Sequence, residues 1–312
     1  MKKNTVYICT KPLQYFNCLN LSATVDRNKS KLTLILIPNF SNSEYVISKI
    51  KKLDKSWDDI KEFDTKEKAI FFLKKNQVEE VYVDNDLHSE GALLGKLGTN
   101  VDFYVYEEGV GSYRRFISNV TNSKIKNALI YILGKAKIFN SIHGAGKYTK
   151  GIFLYNKKAY DFIHPALSYK SKEFFRDFIS NYENNRDILD EIFEIKKINL
   201  PSRKKVAVFL TSNNRNIDFE TEFLNNVHVN DYELTIFKSH PNVSDLYGHL
   251  NCVATQSILA EFIILKLLAD SNQVTIYHYN CSAVMYLLKN GADEVNLSRN
   301  TDEFTRICNL WR

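Results

Sequence analysis

Apolar residues fall along the chain in two rhythms. Short runs at 5–9 (TVYIC), 32–37 (LTLILI), 78–83 (VEEVYV) and 101–106 (VDFYVY) have the length and the β-branched, aromatic content of buried strands. Between them, 12–21, 43–52 and 66–75 repeat apolar positions at helical spacing. Strand and helix alternating in this way predict parallel βαβ units. After 106 the pattern loosens: a helix at 125–133, a short strand at 151–154, and one or two charged amphipathic helices over 170–195. Pro201-Ser202-Arg203-Lys204-Lys205 reads as a charged hinge. Beyond it the alternation restarts, with strands at 206–210, 233–237 and 274–279 and helices at 259–268, 282–288 and 301–311.

The expected architecture is therefore α/β, with two Rossmann-like domains in tandem at 1–200 and 201–312 facing across a cleft. Ligands of such sheets sit outside the carboxyl ends of the strands, so the candidate chemistry lies in the loops that follow them.

Composition narrows the class. A chain of 312 residues suggests about two domains. Apolar residues at 44% and charged residues at 25% exclude wholesale disorder. Lys and Arg exceed Asp and Glu by 42 to 36, a net charge of +6. That surplus suits an anionic small substrate or an anionic membrane surface, the lysines clustering at 50–55, 66–75 and 203–205. Basic runs interleaved with aromatic residues do not occur, so nucleic acid is not an expected partner. Five scattered cysteines, without CxxC or zinc spacing, argue against a disulfide framework or a structural metal. Met1-Lys2-Lys3 leads straight into a strand rather than a secretory leader. The most apolar stretch, about 258–269, is interrupted by Glu261 and Lys266 and is too short to span a bilayer. A cytoplasmic protein is expected, with peripheral contact at the inner face of the membrane as an option.

Four groups stand at strand ends. Glu107-Glu108-Gly109 follows 101–106. Two adjacent carboxylates there suit a general base, and Gly109 lets the chain turn; a solvated acidic turn reads the same way. Lys238-Ser239-His240-Pro241 follows 233–237, with Pro241 able to fix a turn that holds the imidazole. Glu261 is a lone carboxylate in an apolar helix and needs a partner, either a lysine or a ligand hydroxyl pair. Asn280-Cys281-Ser282 precedes a helix, where small polar residues either cap it or receive a phosphate.

Other patterns are weaker. Asp84-Asn85-Asp86 has the DxD form that holds a metal and a nucleotide diphosphate in some glycosyltransferases. Gly144-Ala145-Gly146-Lys147 lacks the leading Gly and the hydroxyl residue of a phosphate-binding loop, and no GxGxxG occurs.

Taken in order, the E-E-G, the H-P, the carboxylate in Leu259-Ala260-Glu261-Phe262 and the polar pair before a helix resemble the bacterial sialyltransferases of the GT-B fold. The resemblance is greatest to glycosyltransferase family 52, the lipooligosaccharide and capsule sialyltransferases. Cys9-Thr10-Lys11-Pro12-Leu13-Gln14 and Tyr279-Asn280-Cys281-Ser282-Ala283 carry it as well. One position departs: Cys281 stands where the family has a first hydroxyl residue, and a thiol is a poorer donor.

The resemblance implies an inverting transferase that needs no metal and no cofactor, using CMP-sialic acid as donor. Glu108 would be the base that deprotonates the acceptor hydroxyl, with Glu107 the second candidate. His240 would serve the departing phosphate as acid or hydrogen-bond donor. Ser282, Cys281 and Asn280 would hold that phosphate, and Glu261 the ribose hydroxyls. Lys238, Pro241, Ser212 and Asn213 would line the donor side, and Thr10, Gln14 and Gly109 the cleft. The acceptor implied is a terminal galactose of a lipooligosaccharide or capsular glycan, lipid-linked in some cases, joined through an α2,3 bond. Two alternatives remain: a polysialyltransferase acting on a sialic acid terminus, and a metal-dependent transferase of nucleotide-diphosphate sugars using Asp84 and Asp86. Nothing in the sequence speaks to an oligomer.

Overall fold

The strand-like runs become two parallel sheets in the computed structural model. It describes residues 2–40, 42–95, 97, 100–115, 123–135, 140–197, 200, 202–212, 217–240, 253–254, 258–270, 272–287, 291–298 and 302–311. Pro241 and Asn213 lie outside the described residues.

The first sheet comprises β1 (Lys3–Cys9), β2 (Ser30–Leu36), β3 (Asp59–Glu62), β4 (Glu80–Val83), β5 (Asp102–Tyr106), β6 (Thr149–Leu154) and β7 (Ser171–Glu173). Their order is β3-β2-β1-β4-β5-β6-β7, and every pairing is parallel. The second sheet comprises β8 (Lys205–Leu210), β9 (Leu234–Lys238), β10 (Val253–Ala254), β11 (Gln273–His278) and β12 (Asp293–Asn296), in the order β10-β9-β8-β11-β12, also parallel. Each sheet begins in its middle, runs outward to one edge and then returns to build the other. The order therefore reverses between β1 and β4 in the first sheet and between β8 and β11 in the second. Those are the switch points where ligands of open α/β sheets bind.

The connecting helices are α1 (Pro12–Ser22), α2 (Ser43–Leu53), α3 (Lys66–Lys75), α4 (His88–Gly95), α5 (Lys124–Lys135), α6 (Lys157–Ile163), α7 (Phe178–Ile192), α8 (Phe219–Asn226), α9 (Ala260–Ala269), α10 (Ser282–Leu287) and α11 (Asp302–Asn309). Pro12, with no N–H to lose, opens α1 at the position where proline is tolerated. Aromatic stacking seals the interiors. Tyr7, Tyr82 and Tyr104 form a ladder across β1, β4 and β5, with ring centroids 4.8 and 5.1 Å apart. Phe209, Phe223 and Phe237 cluster under β8, β9 and α8.

The chain divides into two compact units, Met1–Asn39 with Asp54–Asn181, and Phe40–Leu53 with Tyr182–Arg312. The division thus falls within α7, whereas the hinge expected at 200/201 lies inside the second unit. The segment carrying α2 also belongs to the second unit. Tyr45 donates a hydrogen bond to Glu194 there, and Lys49 Nζ lies 3.7 Å from the same carboxylate. Contacts between positions so far apart in sequence leave no local trace in it. No described helix is long and apolar enough to cross a membrane.

Candidate functional site

In the first unit the carboxyl ends of β1 to β5 surround a cavity of about 390 Å³. Thr10 and Lys11 enter it after β1, Ile37 to Asn39 after β2, Lys66 from the start of α3, Asp84 after β4 and Glu108 after β5. The cavity sits at the first sheet's switch point.

The two adjacent glutamates have opposite environments. Glu107 is fully buried; its Oε2 accepts from the Tyr113 hydroxyl at 2.5 Å and from the Tyr155 N–H at 2.8 Å. Its carbonyl accepts from Asn17 Nδ2 at 2.8 Å. A carboxylate so occupied fixes the start of the loop. Glu108 lines the cavity, its side chain 30% exposed and ion-paired through Oε1 with Lys11. Gln14 Nε2 approaches the same oxygen at 3.4 Å.

A chain of hydrogen bonds holds the Glu108 backbone. Its N–H donates to Ser112 Oγ at 2.8 Å, and Ser112 Oγ lies 2.7 Å from His143 Nδ1. His143 Nε2 lies 2.7 Å from the Asp84 carbonyl, which can only accept. The ring proton therefore belongs on Nε2, and Nδ1 accepts from the Ser112 hydroxyl. Ser112 and His143 are buried, so this serine–histidine contact positions the loop and is not open to a substrate as a nucleophilic pair. Gly109 completes the turn at φ +68°, a left-handed conformation that costs other residues.

Gln14 is fully buried, and its amide links three strand ends. Oε1 accepts from Thr10 N–H at 2.5 Å and Thr10 Oγ1 at 2.9 Å, while Nε2 donates to Asp84 Oδ2 at 2.8 Å. It was expected to line the cleft; it is instead an internal brace, and Thr10 lines the cavity. Lys66 bonds Asp84 at 2.9 Å and pairs with Glu90. Burial works against its charge, but Asp84 and Glu90 overcome that and hold its pKa above the ordinary lysine value. Burial likewise pushes the Glu90 carboxyl up, partly offset by Lys66.

Asp86 and the Gly144–Gly146 turn account for each other. Asp86 is 1% exposed; Oδ1 accepts from Gly144 N–H at 2.9 Å, and Oδ2 from Gly146 N–H at 2.8 Å and Thr149 Oγ1 at 2.7 Å. The half-formed phosphate loop is thus an anion nest already filled by the chain's own carboxylate. Both Asp86 oxygens are committed, and those of Asp84 are taken by Lys66 and Gln14. Among the described residues no group of three or more His, Cys, Asp or Glu could hold a metal.

Among the described residues of the second unit, Ser212 follows β8, Lys238 and His240 stand at the end of β9, Asn280 and Cys281 follow β11, and Glu261 lies in the first turn of α9. His240 N–H donates to Thr211 Oγ1 at 2.7 Å, and Thr211 N–H to the Lys238 carbonyl at 3.1 Å, so the loops after β8 and β9 brace each other. Ser212 follows in the same loop. Lys238 is 4% exposed, and its ammonium donates to the Ser239 carbonyl at 2.7 Å. Burial lowers the Lys238 pKa from 10.5 to about 8, against the opposing pull of Glu261 and Cys281. Burial raises the Glu261 carboxyl; its own N–H in the first turn of α9 and Lys238 work the other way. Burial, reinforced by Glu261, pushes the Cys281 thiol up to about 12. Lysine, glutamate and cysteine thus share one electrostatic neighbourhood, built from three separate elements. Asn280, at φ +50°, exchanges amide hydrogen bonds with Asn296, Nδ2 of the latter donating to Asn280 Oδ1 at 2.8 Å. Cys281 N–H donates to His278 Nδ1 at 3.3 Å, and Ser282 opens α10.

Sequence reasoning missed Lys66, Ser112, His143 and Asn296. Lys66 follows β3, whose sequence Asp-Ile-Lys-Glu carries no strand signal. His143 reaches the site from a loop some thirty residues past Ser112 (|i−j| = 31), which no local pattern announces.

No family model matches the sequence, and no curated protein matches it. Solved structures do share its fold. UDP-N-acetylglucosamine 2-epimerase from Rickettsia bellii aligns with a TM-score of 0.58 at 14% identity, over 96% of this chain and 80% of that one. UGT73P12 of Glycyrrhiza uralensis, complexed with glycyrrhetinic acid 3-O-monoglucuronide, gives 0.59 at 8% identity over 98% and 79%. The wall teichoic acid polymerase TagF gives 0.57 at 12% identity over 97% and 71%. The fold is GT-B, two α/β units each built on a parallel sheet. An epimerase and a polymerase have it in common, so the reaction must be argued from the site.

Proposed function

We propose that this protein is an inverting, metal-independent glycosyltransferase that moves sialic acid from CMP-sialic acid to a sugar hydroxyl, as its resemblance to glycosyltransferase family 52 implies. The observation that carries this reading is the separation of the two glutamates. One is consumed by the core, and the other stands in the switch-point cavity with its loop braced from β4 by Ser112 and His143. That is how a general base is held in place.

In the proposed reaction Glu108 takes the proton of the acceptor hydroxyl while that oxygen attacks the anomeric carbon. The bond from that carbon to the CMP phosphate oxygen breaks with its electron pair, and attack from the opposite face inverts the centre. His240 and Lys238 donate to the departing phosphate. The single charge of a monophosphate leaving group can be met by such donors without a metal. Ser282 and the backbone around Cys281 and Asn280 complete the phosphate site; the protonated thiol of Cys281 adds little as a donor. Glu261 receives the ribose hydroxyls.

Lining the cavity are Asp64, Glu67, Asp84, Glu90 and Glu108 against Lys11 and Lys66. Carboxylates suit an acceptor sugar whose hydroxyls donate to them. The acceptor proposed is a terminal galactose on a lipooligosaccharide or capsular glycan, with the polysialyltransferase as the alternative. The commitment of all four Asp84 and Asp86 oxygens to protein donors counts against the metal-dependent alternative.

The test is CMP release from CMP-sialic acid in excess EDTA, with lactose or sialyllactose as acceptor. Turnover with lactose, lost on His240→Ala, supports the reading. Turnover only with sialyllactose transfers it to the polysialyl class, and failure to bind CMP overturns the donor.

A further inference from the structure

Helix α5 presents a problem that the transferase reading leaves untouched. Its sequence, KIKNALIYILGK, is apolar through its middle, yet none of residues 125–133 is buried. Ile125 is 83% exposed, Leu129 55% and Ile132 61%; at spacings of four and three they form one stripe along the helix. An exposed stripe of this kind marks a surface that meets something else.

Charge identifies the occupant. Between residues 109 and 160 the chain has ten Lys and Arg and no Asp or Glu. Lys124, Lys126 and Lys135 belong to α5 itself, and Lys126 is exposed. A second copy of this chain, packed helix to helix, would bring two such cationic segments together. Nucleic acid would satisfy the lysines and leave the aliphatic stripe in water. An anionic bilayer satisfies both: aliphatic side chains enter the boundary between headgroups and acyl chains, and the lysines meet lipid phosphates. Twelve residues of helix make roughly 18 Å, too short to span and suited to lying in the interface.

We infer that α5 is a membrane-surface helix that docks this protein on anionic lipid. The inference is independent of the reaction catalysed. It is tested by co-sedimentation of the full chain with phosphatidylcholine vesicles, with and without one-third phosphatidylglycerol, at low and high salt. The wild type should bind the phosphatidylglycerol vesicles and weaken with salt. Leu129→Asp with Ile132→Asp should lower binding at least ~10-fold, and Lys126→Glu several-fold, without changing the melting temperature; these side chains are exposed, so folding should survive. Absence of wild-type binding overturns the inference. So does binding unaltered by the Asp pair, which would place the contact elsewhere. A concentration-dependent dimer in sedimentation equilibrium that the same pair abolishes, with no vesicle binding, would overturn it too and assign the stripe to a second copy.

Discussion

Glu107 and Glu108 are identical in sequence terms and separated by what surrounds them. Glu107 accepts from a tyrosine hydroxyl and a backbone N–H in a site closed to water, and Glu107→Ala would remove that shared acceptor. A loss on the order of 1–3 kcal/mol is expected, seen as a lower unfolding midpoint in urea. Lys238 gives a prediction in pH. Its folded pKa of about 8 lies below the ordinary 10.5. Between these values the unfolded chain binds a proton that the folded chain has released, so this residue makes stability rise with pH across that window. Lys238→Met should flatten the rise, the difference from wild type being on the order of 3 kcal/mol at most. If the ammonium serves the donor phosphate, CMP affinity should also fall above pH 8 in the wild type and not in the variant. The pair Glu107-Glu108 was legible as a candidate; which glutamate faces the cavity was not, because it depends on Tyr113 and Tyr155 meeting one side chain in three dimensions.

Among elements, the strands readable in sequence were those buried on both faces. β1, β2, β4, β5, β8, β9 and β11 are continuous apolar runs because helices cover both sides of such sheets. The strands that escaped notice, β3, β7, β10 and β12, lie at the sheet edges. Asp-Ile-Lys-Glu, Ser-Lys-Glu and Asp-Glu-Val-Asn are polar and short, as edge strands tend to be. The span 170–195, read as helical throughout, contains β7 before α7 begins at Phe178. The turn after β5 is where an element controls chemistry. Ser112→Ala removes the acceptor for the Glu108 N–H and the donor to His143. It should lower kcat about 10-fold with KM nearly unchanged, as expected when a base is displaced and substrate affinity is preserved. An equal change in kcat and KM would argue against positioning. Asp86→Ala should behave as a folding variant: three donors from the Gly144 turn and Thr149 would have no acceptor, and the melting temperature falls.

At the scale of the whole molecule, the parallel two-unit plan followed from the alternation of runs; the strand order, which depends on which strands pair, did not. Nor did the division of the chain, since the segment at 40–53 joins the second unit through Tyr45 and Lys49. The GT-B plan itself decides no reaction. The first unit has a braced carboxylate at its switch point, and the second, taken by itself, has the Lys238–Glu261–Cys281 neighbourhood and His240. The most direct test of that account is the rate of CMP release from CMP-sialic acid, with lactose as acceptor and EDTA in excess, for wild type and Glu108→Gln. Turnover by the wild type and a loss of at least ~100-fold in the variant, with CMP binding intact, is the predicted result. Wild-type turnover that Glu108→Gln leaves undiminished would contradict it.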